Sequence, residues 1–171
     1  MSQLPKPLSN FVSRFNEQYG HLKLVDINDK KLIELMTSQK SAVNNLFMAG
    51  LGASTLILRL GAVIQLSKKL EEGTPEDDAL LMKQIVDNLR ENLPSDTSWK
   101  VIWSITCPED SPWRGCITQP KGQQSLMERF ITFRNQYVHG YISLREQDVK
   151  KILNGINTLS EIVNTTSHLF S

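Results

Sequence analysis

Cysteine, net charge and signature loops are all scarce in this chain. Only two cysteines occur among 171 residues. They are Cys107 and Cys116, in "CPEDSPWRGC", and their spacing fits neither a redox pair nor a zinc knuckle. Reduced thiols are expected, and a disulfide framework is excluded. A chain of this length buries a core without disulfides or a structural metal. The formal net charge of +1 excludes a whole-molecule field that would draw in nucleic acid or an anionic membrane. It leaves local sites open. There is no glycine-rich phosphate loop and no serine nucleophile motif. The acidic run "EEGTPEDD" lacks calcium-loop spacing and reads as an exposed helix start. No cofactor and no metal are expected. The opening residues "MSQLPKPLSN" have neither the apolar segment nor the cleavage site of a secretory leader, so a cytoplasmic location is expected.

Long apolar runs are limited to one, residues 46–66, whose only charge is Arg59. The run is about long enough to span a bilayer. Arg59 lies well inside it, however, where a charge costs about 2.5–3.5 kcal/mol on insertion scales. Three glycines and Gln65 dilute it, and "SKKLEEG" continues the helical pattern out of it. A buried core helix is expected, with no membrane partner. Gly50, Gly52 and Gly61 would let neighbouring elements approach closely.

The remaining pattern is helical. "SNFVSRFNEQYG" reads as a short helix from an N-cap at Ser9 to a terminal glycine at Gly20. "DIND" offers Asp26, Asn28 or Asp29 as the cap of a long stretch reaching Glu72, with a candidate break near residues 38–41. In "TPEDDALLMKQIVDNLRENLP", Thr74 caps, Pro75 takes the first position and Pro94 closes. Leu81, Ile85, Val86, Leu89 and Leu93 mark its buried stripe. Two more helices are expected at about residues 122–139, stopped by Gly140, and 145–169. The expected fold is an all-α bundle of about five helices forming one domain over residues 1–171.

An insertion at about residues 95–121 interrupts the bundle. It holds all three tryptophans, Trp99, Trp103 and Trp113. Within it "WKVIWSIT" favours an extended strand, because Val, Ile and Trp do. The tryptophans are expected to fold back onto the bundle. Lys100, Trp113, Arg114 and Lys121 stand as candidates for RNA contact by charge and stacking.

The densest polar function lies in "FRNQYVHGY", residues 133–141. On a helical wheel Leu126, Phe130, Phe133 and Tyr137 form one apolar stripe, and Met127, Ile131 and Val138 a second. The combined arc of about 160° exceeds what packing on one neighbour requires. The second stripe is therefore expected to meet another copy of the chain. Arg134 lies in the seam, and Asn135 and His139 share the far edge. A guanidinium is a fixed fork of donors suited to phosphate. An imidazole moves protons near neutral pH, and an amide orients either group. His21 and His168 have no comparable neighbours.

The stretch "RNQYVHG" resembles the signature of HEPN domains: an arginine, a polar residue, and a histidine further along the helix. Those domains are helical bundles, many of them metal-independent endoribonucleases acting as toxins or in cellular defence, commonly as homodimers. The resemblance implies catalytic roles for Arg134, Asn135 and His139 in cleaving RNA by attack of its own 2′-hydroxyl. It also implies a homodimer. In "HGY", Tyr141 matches the tyrosine that a nucleotidyltransferase antitoxin adenylates in some HEPN toxins. The alternative from another class is a non-catalytic HEPN module for dimerisation or nucleotide binding, as the N-terminal part of a larger effector.

Overall fold

The computed structural model describes residues 4–91, 96–107, 109–111, 114–117 and 122–169. Among them are eight α-helices: α1 (Lys6–His21), α2 (Asp29–Ser38), α3 (Lys40–Glu72), α4 (Pro75–Glu91), α5 (Asp96–Thr106), α6 (Arg114–Ile117), α7 (Leu126–Val138) and α8 (Val149–Leu169). A 3-10 turn at Glu146–Asp148 leads into α8. The chain is all-α, with no strand among the described residues. The count exceeds the expected five for two reasons. The long stretch does break, at Gln39, and the insertion contains two helices of its own.

The residues also divide into two compact units where the sequence suggests one domain. The first joins residues 1–54 to 132–171, and the second is residues 55–131.

In the first unit α1 begins earlier than expected. Pro5 is its cap and Pro7 sits in the first turn, where a missing N–H leaves no intrahelical bond unmade. The helix runs through Gly20, and the left-handed position that ends it falls on Lys23, at φ 53°. Asn28 caps α2 by accepting from the Lys31 N–H at 2.9 Å, one of the three caps the sequence offered. α2 lies against α8, and the Lys150 ammonium donates to Asp29 Oδ2 at 3.0 Å. The core gathers Leu8, Phe15, Phe47, Ile152 and Leu159, each at most 1% exposed. Gly50 makes this possible, since a Cβ there would come within 2.9 Å of Phe15 and Leu159. Gly155 on α8 likewise leaves room for the Phe133 ring.

In the second unit Thr74 caps α4 as expected, accepting from the Asp77 N–H at 3.2 Å. Leu81 and Ile85 are buried, but Val86 is 40% exposed and does not belong to the stripe. The side chains of Leu89 and Leu93, like Pro94, lie outside the described residues. "WKVIWSIT" is helical, not a strand. Its buried residues Ile102, Trp103 and Thr106, with Cys107 just beyond, recur with helical spacing, and burying that face outweighs the extended preference of Val, Ile and Trp. Trp103 is fully buried. Its Nε1–H donates to the Leu58 carbonyl at 2.7 Å, and its ring occupies the space left by Gly61.

The apolar run belongs to α3, which by length and composition could cross a membrane. More than half of its most apolar stretch is buried inside the chain, as a core helix requires.

Candidate functional site

Both ends of the motif helix α7 are fixed by local chemistry. At the start, Ser125 and Glu128 form a capping box: the Glu128 N–H donates to Ser125 Oγ at 3.2 Å, and the Ser125 N–H to Glu128 Oε2 at 3.1 Å. These bonds satisfy donors that a helix start leaves open, and they set the start at Leu126 instead of near 122. At the end, Gly140 adopts φ 74°. Its N–H donates to the Tyr137 carbonyl at 3.2 Å, and the Tyr141 N–H donates back to the Gln136 carbonyl at 2.9 Å. This is the glycine-terminated Schellman ending. It turns the chain so that the His139 and Tyr141 rings lie with centroids 6.4 Å apart.

Between these ends the helix separates its apolar and polar groups. Phe133 is buried, and its ring stacks with Tyr137 at 5.7 Å. Phe47 on α3 meets both, at 5.4 and 5.0 Å. The Tyr137 hydroxyl donates to Asn44 Oδ1 at 2.6 Å, and burial holds its pKa above the ordinary phenol value. The polar motif residues face outward. Asn135 and His139 are exposed and Arg134 is half-buried. Arg134 Nη1 donates to Asn135 Oδ1 at 3.3 Å, which holds the guanidinium beside the amide. Tyr141 is 74% exposed.

A cleft of about 580 Å³ opens beside this helix end, lined by Lys40, Ser41, Asn44, Asn45, Tyr137 and Gly140 among others. Its far wall is the loop from Ile142 to Leu144. Asp148 holds that loop by accepting from the Ser143 N–H at 3.0 Å and from Arg145 Nε at 2.6 Å. The Arg145 hydrogen bond, then that from Ser143, keeps the Asp148 carboxyl below its ordinary range. Sequence reasoning missed the cleft. The signal available was "NN" at 44–45, an amide pair placed just before an apolar run.

One expectation is corrected. Met127 is 1% and Ile131 9% exposed, so both belong to the chain's own core and neither is offered to a second copy. The wide apolar arc of α7 is largely covered within one chain. Val138, by contrast, is 58% exposed. Two of the candidate RNA contacts have partners within the chain. Lys100 Nζ pairs with Glu128 Oε1 at 2.8 Å. Arg114 Nη1 donates to the Ser104 and Cys107 carbonyls at 2.9 Å each, closing the end of α5. These contacts organise the second unit. Trp113 and Lys121 lie outside the described residues.

In comparison with protein-family models, curated proteins and solved structures, the chain matches none.

Proposed function

We propose that the chain is a HEPN-type, metal-independent endoribonuclease, a cytoplasmic toxin or defence effector working as a homodimer. The observation that carries this reading is the presentation of "RNQYVHGY". Guanidinium, amide, imidazole and phenol emerge at the end of a helix whose start is fixed by a capping box and whose end is closed by a Schellman turn. None of the four is buried in the core. His139 transfers the proton, either from the attacking 2′-hydroxyl or to the leaving oxygen. Arg134, steadied by Asn135, offsets the charge that builds on the phosphate.

Arg134 and His139 are five residues apart, so they diverge by about 140° around a helix axis. Two copies about a two-fold axis would enclose one phosphate between both motifs. Val138 and Tyr141, apolar or aromatic and exposed beside the motif, supply the surface for that contact. Tyr141 is open enough for a nucleotidyltransferase partner to reach its hydroxyl, and a bulky anion there would obstruct RNA.

The test is incubation of the purified protein with a labelled RNA in EDTA. Cleavage leaving a 2′,3′-cyclic phosphate, absent in His139→Ala, is the expected result. Intact RNA under all conditions favours the non-catalytic module instead.

A further inference from the structure

The cleft beside the motif has a chemistry of its own. Its lining includes one ammonium, Lys40, two hydroxyls, Ser41 and Ser143, and two side-chain amides, Asn44 and Asn45. No carboxylate is among the described residues that line it. An amide offers a donor and an acceptor side by side, which matches the edge of a nucleobase. Asparagine is the regular two-point partner of adenine N6 and N7. The Tyr137 hydroxyl occupies one lone pair of Asn44 Oδ1, which fixes the rotamer and leaves the NH₂ group and a second lone pair for a ligand. A side chain already held in place loses less freedom on binding. A volume of about 580 Å³ falls within the roughly 300–1,000 Å³ of pockets that take small organic ligands. Tyr137 and Gly140 both line the cleft, so it opens at the same helix end that carries His139, whose side chain is not among those lining it.

We propose that this cleft seats one nucleotide of the RNA substrate beside the cut phosphodiester, with its phosphate at Lys40 and its base against Asn44 and Asn45. The proposal rests on the ribonuclease reading and makes Lys40 and Asn45 substrate-positioning residues that act outside the Arg134–His139 pair.

The test uses 5′-AMP as probe and the His139→Ala protein as receptor, followed by side-chain amide shifts in NMR. AMP is expected to bind saturably and to shift Asn44 and Asn45. Lys40→Ala and Asn45→Ala, each added to that background, are expected to weaken it at least tenfold. Both positions are exposed, so their melting curves should match the parent. Adenosine and ribose 5-phosphate should each bind more weakly than AMP, because each occupies one end of the cleft. A short 2′-O-methyl oligoribonucleotide should displace AMP. AMP binding that the oligonucleotide leaves undisturbed overturns the proposal, as does AMP affinity unchanged by Asn45→Ala. The two readings fail separately. Absence of RNA cleavage, with AMP and oligonucleotide still bound through Asn45, removes the ribonuclease and leaves the cleft. Cleavage with Asn45 irrelevant to binding removes the cleft alone.

Discussion

The Trp-bearing α5 and the end of α7 both combine aromatic rings with cations, yet they use them in opposite ways. In and just after α5, Trp103, Lys100 and Arg114 direct their polar groups to partners within the chain. The Trp103 indole donates to a carbonyl of α3, Lys100 pairs with Glu128, and Arg114 closes the end of the helix. At the end of α7 the rings of Phe133 and Tyr137 pack, while Asn135, His139 and Tyr141 face solvent. Residue type therefore does not separate structure from function here. What separates them is where the hydrogen-bonding capacity is directed. A guanidinium bonded to two backbone carbonyls contributes stability to its own unit, whereas an exposed imidazole beside a cleft contributes little to stability and is available for chemistry.

The largest effect that tests this contrast is His139→Ala. RNA cleavage should fall by about 10² to 10⁴, the usual contribution of general acid–base catalysis. The melting temperature should stay within a degree or two of the parent, since His139 is exposed. A single-turnover assay with parallel thermal melts reads both. A large loss of stability with unchanged cleavage would make the histidine structural and erase the contrast.

Trp103→Ala should show the opposite pattern. Removing a fully buried indole costs about 3–5 kcal/mol, which chemical denaturation would measure. Trp103→Phe should recover much of the packing and still leave the Leu58 carbonyl without this donor, a residual cost of about 1 kcal/mol. Ile131→Asp belongs with these, because it places a carboxylate at a position only 9% exposed. Loss of helical signal in circular dichroism is its expected outcome. A folded monomer from Ile131→Asp would instead restore this residue to a subunit interface.

Much of the fold was legible because caps and periods are local. Thr74, Asn28, the stop at Glu72 and the turn at Gly140 all follow from side chains within a few residues of the helix ends they set. α5 was misread because three extended-preferring residues were weighed above the spacing of 102, 103, 106 and 107. The motif itself was legible as a constellation. Two other features were not, since both depend on contacts distant in sequence. One is the burial of Met127 and Ile131. The other is the meeting of Asn44 with Tyr137, 93 positions away.

A smaller change should separate helix end from chemistry. Gly140 sits at φ 74°, and a Cβ there meets nothing within 4 Å. The cost of Gly140→Ala is therefore conformational alone, about 1 kcal/mol for a left-handed alanine. Relaxing that strain would reorient the Tyr141 turn, so cleavage should drop by more than the stability change explains. Equal losses in both would mean that the turn only closes the helix.

The smallest expected effect compares two carboxylates, one in each unit. Asp148, held by Arg145 and Ser143, and Glu128, held by Lys100 and Ser125, both titrate below their ordinary range. A carboxyl whose folded pKa is depressed binds fewer protons folded than unfolded. Its contribution is therefore complete above the unfolded value of about 4 and is lost as pH falls through the lower folded value. Melting temperatures measured from pH 6 downward should hold level and then decline below about pH 4. Asp148→Asn should flatten part of that decline, and so should Glu128→Gln. Only the first should also alter the cleft, because Asp148 fixes the loop from Ser143 to Arg145. AMP binding to the His139→Ala protein should accordingly weaken in Asp148→Asn and stay unchanged in Glu128→Gln. Equal weakening in both would tie the cleft to overall stability and remove the distinction between the two regions.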